Sequence, residues 1–412
     1  MNRPAYELAD VIRTFAPAFE QQYGHTVSPA QRRALRDLVR CRTAALGGHV
    51  EACDACGQVR IAYNSCRNRN CPKCQAAARA AWLDRQSADL LRVEYFHVVF
   101  TLPNALGPVG LQNPTLLHGA LFRAAAASLL TLASDPKHLG AEIGFLAVLH
   151  TWGQTLTLHP HVHCVVPGGG LSPDGQRWLS CRPGFFLPVR LLSRLFRGKY
   201  LAALQQLYQQ GRLVLAGTQA QLAEPRRFAI WIDELRASEW VVYAKPPFGG
   251  PEQVLKYLAR YTHRVAISNQ RLVSVDDRTV SFHWKDYADD NSAKVMTLEG
   301  VEFLRRFLQH VLPSGFVRIR HFGLLANRHR KEKLARCRSL LHASATVDSS
   351  ESLPVEGAED AKAEADFDEA GEAAETGVRC PACGKGRMVI IEMLPRTSAI
   401  SPSHVGAVAD TS

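Results

Sequence analysis

Apolar residues change their spacing several times along the chain, and each change marks an element. Residues 1–45 carry a helical pattern, with Ser28-Pro29 reading as an N-cap followed by proline at the first helical position of AQRRALRDLVRCRTAAL. Residues 46–74 lose all sustained periodicity and are rich in Gly, Asn and Cys, as expected of a loop-built metal module. QAAARAAWLDRQSADLLR (75–92) returns to strong helix formers. EYFHVVFTLP (94–103) is β-branched and aromatic, stops at Pro103, and reads as a strand. A helix is expected over 113–133 and strands over 143–153 and 159–166, the second ended by the turn PGGGLSPDG. Helical pattern recurs at 189–210, a strand at 239–247, and a proline-led helix at PEQVLKYLARYTHR (251–264). Short strands at 272–277 and 279–287 precede a helix at 297–311. This mixed order, without an internal repeat, predicts an α+β sheet domain over roughly 93–325.

Composition narrows the class. Hydrophobic residues make up 46% of the 412 and charged residues 21%, which excludes a wholly disordered chain. No window holds the roughly 18 uninterrupted apolar residues of a membrane span. The start, MNRPAYELADVIRTF, contains Asp10 and Arg13 and no apolar signal core. The expected compartment is the cytoplasm, where the 11 cysteines stay reduced and clustered ones point to metal.

Charge changes the picture further. Residues 345–377 hold 11 acidic side chains and one Lys, so the net +11 conceals +21 on the rest of the chain. An excess of that size favours a polyanionic partner, most simply nucleic acid. The stretch 318–338, RIRHFGLLANRHRKEKLARCR, has eight Arg or Lys against one acid. The acidic segment after it reads as a disordered linker, followed by a short piece with CPACG (380–384) and an unstructured tail from Pro395.

Two C-x2-C pairs, Cys53/Cys56 and Cys71/Cys74, lie 14 residues apart. Each such turn supplies two soft ligands to a tetrahedral Zn2+, and a module with so little apolar content needs a metal staple. The four are therefore expected to share one structural zinc. Cys41, His49 and Cys66 lie close by and could complete a second site or replace one of the four. Cys380/Cys383 lack two ligands; Cys337, His404 or a second chain of an oligomer are the candidates.

His159-Pro160-His161-Val162-His163 puts three imidazoles at alternate positions, hence on one face of a strand, with Val162 pointing the other way. Two neutral imidazoles on one face make half of a divalent-metal site. Gln154, seven residues before His161, is a candidate third ligand if a hairpin brings it alongside. Tyr257 and Tyr261 are four apart on the expected helix and therefore neighbours. Such a pair usually belongs to a core; here Lys256, Arg260, His263 and Arg264 surround it with charge that favours phenolate and holds phosphate.

His161-Val162-His163 resembles the histidine–hydrophobic–histidine (HUH) motif of single-strand-nicking nucleases. Together, LHPHVHCVVPGGGLS (158–172), KYLARYTHRVAISNQRL (256–272) and NSCRNRNCPKCQ (64–75) resemble the IS91 family of insertion-sequence transposases. EYFHVVFTLP and GFVRIRHFGLLA (315–326) are similar to family segments as well, so the resemblance spans about 25–335 in order. Asn70 departs from the family pattern, which has a histidine there.

The resemblance implies an antiparallel-sheet, HUH nuclease-like catalytic domain behind a small helical, zinc-ribbon-like module. The expected boundaries are 1–92 for that module, 93–340 for the catalytic domain, 341–378 for the acidic linker and 379–412 for the tail. It implies rolling-circle transposition, in which His161 and His163 hold Mg2+ or Mn2+ and Tyr257 or Tyr261 attacks DNA to leave a 5′-phosphotyrosine. Structural Zn2+ would sit on Cys53, Cys56, Cys71 and Cys74, with Cys66 as a substitute. The implied partners are single-stranded DNA at insertion-sequence ends and target DNA, in the bacterial cytoplasm at the nucleoid. Lys256, Arg260, Arg264, Arg318, Arg320 and the run Trp284–Tyr287 are candidate DNA contacts. A replication initiator or relaxase would share this chemistry, and a non-catalytic zinc-dependent DNA-binding protein would share the zinc and the charge.

Overall fold

The computed structural model describes residues 4–75, 82, 89–248, 265–287, 289–348 and 378–397. The expected helices at 75–92 and 251–264 fall almost wholly outside them. So do Tyr257, Tyr261, Lys256, Arg260 and Arg264.

Among the described residues the helices, in chain order, are α1 (Leu8–Tyr23), α2 (Pro29–Arg40), α3 (Gly107–Gln112), α4 (Pro114–Ser134), α5 (Val189–Gln209), α6 (Pro225–Ala237), α7 (Gly300–Leu308) and α8 (Arg330–Asp348). The strands are β1 (Gly48–Cys53), β2 (Val59–Tyr63), β3 (Tyr95–Thr101), β4 (Gly144–Trp152), β5 (Leu158–Pro167), β6 (Gly169–Leu171) and β7 (Trp178–Ser180). They continue with β8 (Val242–Phe248), β9 (Leu272–Val275), β10 (Thr279–Asp286), β11 (Ser292–Glu299), β12 (Ile319–Gly323) and β13 (Met388–Leu394). Helices and antiparallel sheets alternate, an α+β architecture.

The central sheet has the order β12-β4-β5-β3-β8 with every neighbour antiparallel. β5 is its middle strand. One sheet face, carrying Phe96, Val98, Phe100, Phe145, Leu149, Val162 and Val166, packs on α4 and α5 in the largest core. α4 is long and apolar enough to cross a bilayer on length and composition alone. Yet 72% of its most apolar window is buried inside the protein, which is how the core helix of a sheet domain behaves.

A second core joins the N-terminal helices to the other end of the chain. Leu8, Ile12, Phe15 and Phe19 of α1 pack with Leu38 of α2 and with Phe282, Phe303 and Phe307 of the β9–β11 and α7 unit. Gly300 permits this approach, since a Cβ there would stand 2.2 Å from the Phe15 ring. The N-cap at Ser28 forms as its sequence suggests: its Oγ accepts from the Gln31 N–H, and Gln31 Oε1 accepts from the Ser28 N–H at 2.8 Å.

Four stretches differ from the sequence pattern. Residues 46–74 contain a paired hairpin, β1 and β2, because Cys53 N–H bonds Gln58 O at 2.9 Å to close the turn. Residues 297–299 complete strand β11, so the helix expected from 297 begins at Gly300. The C-terminal piece is no loose tail: β13 pairs antiparallel with β1, from Gly48 opposite Leu394 to Cys53 opposite Met388. Likewise α8 runs to Asp348, into the segment expected as linker from 341.

Candidate active site and cysteine clusters

The sheet face opposite α4 and α5 carries the imidazoles. Alternation along β5 sends Val162 into the core, fully buried, and turns His161 and His163 to this other face. His150 of β4 is the register partner of His161. His150, His161 and His163 form a cluster whose candidate ligand atoms lie within 4.8 Å of one another. His150 and His163 are buried while His161 is half-buried, so the cluster is reached from the His161 side.

The ring orientations are set by neighbours. His161 Nδ1 lies 2.6 Å from the His159 carbonyl oxygen. A carbonyl only accepts, so Nδ1 carries the proton and the lone pair is on Nε2. His163 Nδ1 lies 2.8 Å from Nε2 of buried His97 on β3, and the two rings stack. Ligation through His163 Nε2 requires the proton on Nδ1, donated to His97. Trp152 stacks on His150 at 4.8 Å and holds that ring in place. These are the outer contacts by which metal-ligating histidines are oriented. Burial pushes His159 below its usual range, and its carbonyl serves the cluster.

Gln154 is not part of this group. Its side chain is out in the β4–β5 turn, where Nε2 donates to Tyr287 Oη at 2.7 Å. The third nitrogen donor is instead His150, which the sequence reading missed. The turn itself is pinned from below: Arg306 Nη1 donates to Thr155 O at 3.2 Å, and His310 Nε2 donates to Leu156 O at 3.1 Å.

The cysteines group differently from the expected single tetrahedron. Cys71 and Cys74 meet Cys41 and Cys66, whereas Cys53 and Cys56 meet Cys380 and Cys383. The two C-x2-C pairs cannot share an ion, because β1 and its hairpin carry Cys53 away to pair with β13. In the first cluster the Cys41–Cys74 and Cys66–Cys74 sulfur separations are 3.4 and 3.6 Å. His49 belongs to neither; its Nε2 lies 2.8 Å from Glu51 Oε1. Asn70 bonds back to Asn68 Oδ1 through its backbone and side-chain amides. With Cys41 present, four sulfurs are assembled without a residue at 70.

Of the other residues singled out, Arg318 and Arg320 are half-buried. Arg320 lays its guanidinium over Phe122 at 4.2 Å, and Nε donates to Val317 O at 3.1 Å. Desolvation and the Arg69 charge bring Arg318 down to about 10, so it stays cationic near neutral pH. Arg69 itself donates to the carbonyls of Phe316, Pro313 and Leu312 at 2.6, 2.7 and 3.2 Å, tying the cysteine module to the segment before β12. Trp284 is half-buried beneath Lys294, 5.9 Å from its ring, and Tyr287 is 67% exposed.

The fold and site define a class: an α+β protein with a histidine-bearing antiparallel sheet and cysteine-built zinc-type modules. Comparison with known proteins sharpens it. Residues 11–102 match the family model described as "Transposase zinc-binding domain", and residues 144–333 match the one described as "Putative transposase". The chain is 54% identical over 394 residues to "Putative transposase y4qJ" of Sinorhizobium fredii strain NGR234, covering 95% of this chain and 96% of that one. It is 30% identical over 307 residues to the "Transposase for insertion sequence element IS801" of Pseudomonas savastanoi pv. phaseolicola, covering 71% of this chain and 69% of that one. No solved structure matches. The chain belongs to the IS91 family of insertion-sequence transposases. It is a DNA-acting transposase, and its zinc-binding domain and cysteine clusters support structural Zn2+.

Proposed function

We propose that this transposase nicks and rejoins single-stranded DNA at the ends of its element through a 5′-phosphotyrosine, with Tyr257 and Tyr261 as nucleophiles. The observation that carries the reading is the cluster of His150, His161 and His163 on the middle strands of the sheet, with His161 on its accessible side. Three neutral imidazoles, His161 and His163 oriented through their Nδ1 atoms and His150 by its stacking on Trp152, suit a divalent cation. When bound, Mg2+ or Mn2+ supplies Lewis-acid polarisation of a phosphoryl oxygen.

The chain's own residues do the rest. His161, held by the His159 carbonyl, and His163, held by His97, keep the donor atoms in place without reorganisation. A tyrosine phenolate attacks the phosphorus in line, forming the O–P bond of the phosphotyrosine while the 3′-oxygen leaves and takes a proton. The bond energy is kept in that linkage, so a free 3′-hydroxyl reverses the step without a nucleotide cofactor. The sequence has no GxxxxGK[ST] phosphate loop, in keeping with this. Two phenols allow a second strand to be cut before the first link is resolved.

Support for the tyrosines comes from the described flanks of their segment. β8, ending at Phe248, pairs with β3 beside β5. After the segment, Ala266 and Ile267 pack in the same core as Leu156 of the β4–β5 turn. For DNA, Lys256, Arg260 and Arg264 are the proposed phosphate contacts near the phenols. The exposed Arg328, Lys331 and Arg336 extend the basic surface, with Arg318 and Arg320 at its half-buried edge. Tyr287, 67% exposed, is the proposed stacking partner for an unpaired base.

The test is nicking of single-stranded oligonucleotides carrying the element's ends. Wild type should cut in the presence of Mn2+ or Mg2+, and His150→Ala and His161→Ala should not. Binding without cutting by every form would leave a zinc-containing DNA-binding protein and end the catalytic reading.

A further inference from the structure

The C-x2-C-G turns at opposite ends of the chain, Cys53–Gly57 and Cys380–Gly384, are built alike. In each, the glycine N–H donates to the first cysteine's carbonyl at 3.0 Å. Each glycine sits in the left-handed region, at φ 71° for Gly57 and 66° for Gly384, where side chains are disfavoured. In each, the first cysteine's N–H is bonded just beyond the turn, Cys53 to Gln58 O at 2.9 Å and Cys380 to Gly386 O at 2.8 Å. Backbone N–H groups also point at sulfur, Ala55 at Cys53 Sγ and Gly386 at Cys383 Sγ, both at 3.4 Å.

The two turns are fitted to each other. Asp54 N–H donates to Arg387 O at 3.0 Å, and Arg387 N–H donates back to Asp54 Oδ1 at 2.8 Å. A Cβ at Gly386 would stand 2.5 Å from both Cys53 Sγ and Asp54 Oδ1, so this approach depends on glycine. The Cys53–Cys383 and Cys56–Cys380 sulfurs are 3.7 and 3.8 Å apart. A zinc tetrahedron with Zn–S near 2.3 Å has sulfur–sulfur edges of about 3.8 Å.

We propose that Cys53, Cys56, Cys380 and Cys383 bind a second structural Zn2+ that fastens the C-terminal hairpin to the N-terminal module. The packing shows why an ion belongs there. Among the described residues, the buried apolar cluster of this three-stranded unit consists of Cys53, Cys380 and Met388, with Cys383 partly buried against them. Val59, Ile61, Ile390 and Ile391 of the same sheet are each more than half exposed. A sheet with so small a core lacks the apolar burial to hold itself together, and metal ligation is the usual substitute. Four thiolates leave no open coordination position, so the ion is structural. The zinc-binding family match ends at residue 102 and takes in only half of this ligand set. The true module is therefore discontinuous, completed by residues 378–397.

Zinc per chain, measured by mass spectrometry of the purified full-length protein, tests this. Two ions are expected for wild type, one for Cys380→Ser/Cys383→Ser and one for Cys71→Ser/Cys74→Ser. A second measurement covers the case in which the variants fail to fold. A protease site placed within residues 349–377 of the otherwise unaltered chain is cut, and a C-terminal tag is used to recover the fragment. The fragment should bring the body with it, and a chelator should release it. One zinc in wild type, absent only from the Cys71/Cys74 variant, would overturn the proposal and leave the first cluster as the sole site. Separation of the cut fragment at full zinc content, or retention after zinc removal, would overturn it as well.

Discussion

His97 Nε2 and His163 Nδ1 lie 2.8 Å apart on neighbouring strands, their rings stacked at 5.0 Å and only 8° from parallel. Because His97 is buried and acts through His163, it is a positioning residue. Replacing His97 by Ala should weaken metal binding to the three-histidine cluster about 10–100-fold, the usual effect of losing an outer contact to a ligating histidine. A Mn2+ titration read by electron paramagnetic resonance checks this, with zinc content unchanged. His97→Gln, which keeps a polar partner for Nδ1, should recover part of the loss, whereas a merely structural role would show no such recovery.

The third donor distinguishes two readings of the β4–β5 hairpin. His150→Ala should abolish Mn2+ binding at the cluster, a larger loss than the roughly 10–100-fold expected for His97. Gln154→Ala should leave it within about 2-fold, since that amide is engaged with Tyr287 and not with the imidazoles. The same titration, run on both variants, decides.

Metal preference follows from the donors. The cluster offers three imidazole nitrogens, whereas Mg2+ prefers oxygen ligands and holds its waters tightly. Mn2+ should therefore support nicking at lower concentration than Mg2+. Half-saturating concentrations for the two ions, measured on one oligonucleotide, test the order.

Buried His310 is lowered to about 4 by desolvation, and buried His118 is lowered to about 4 by desolvation and, to a lesser extent, by the proximity of His310, beside which a second charge is disfavoured. Both fold as neutral rings and are protonated near 6.5 when unfolded. Between those values the unfolded state binds more protons, so stability falls as pH drops from about 6.5 towards 4 and is flat above. Each contributes up to about 3 kcal/mol to that slope. Urea melts of wild type and His310→Gln at several pH values should show a shallower acid slope in the variant.

Arg69→Ala removes a guanidinium that serves three carbonyls between Leu312 and Phe316. The carbonyls stay half-buried without it, so the expected destabilisation is about 2–4 kcal/mol. Equilibrium urea unfolding measures it.

Local pattern made much of the fold legible. The apolar run of 114–134, the β-branched runs of β3 to β5 and the cap at Ser28 each declare themselves within a few residues. Contacts between distant parts of the chain do not. The β4–β5 turn closes with Gly153 N–H on Thr157 O, and that register carried straight back would set His150 against Pro160. A one-residue irregularity between His150 and Trp152 sets it against His161 instead, and a slip of one residue exchanges the faces of a strand. His150 was thus hidden by a bulge that its own sequence does not announce. The cysteine pairing was hidden for a simpler reason: regular C-x2-C spacing identifies a ligand pair but carries no information about which pair it meets. Here the partner lies more than three hundred residues away, at Cys380 and Cys383.

The most direct measurement is the site of the covalent link. Full-length protein is incubated with single-stranded DNA from the ends of its own element and Mn2+, the denatured adduct is digested, and the nucleotide-bearing peptide is sequenced by mass spectrometry. The account predicts a phosphodiester-linked nucleotide on Tyr257 or Tyr261, absent from the His161→Ala protein and from the Tyr257→Phe/Tyr261→Phe protein. Metal-dependent cutting that leaves no nucleotide on either tyrosine would contradict it.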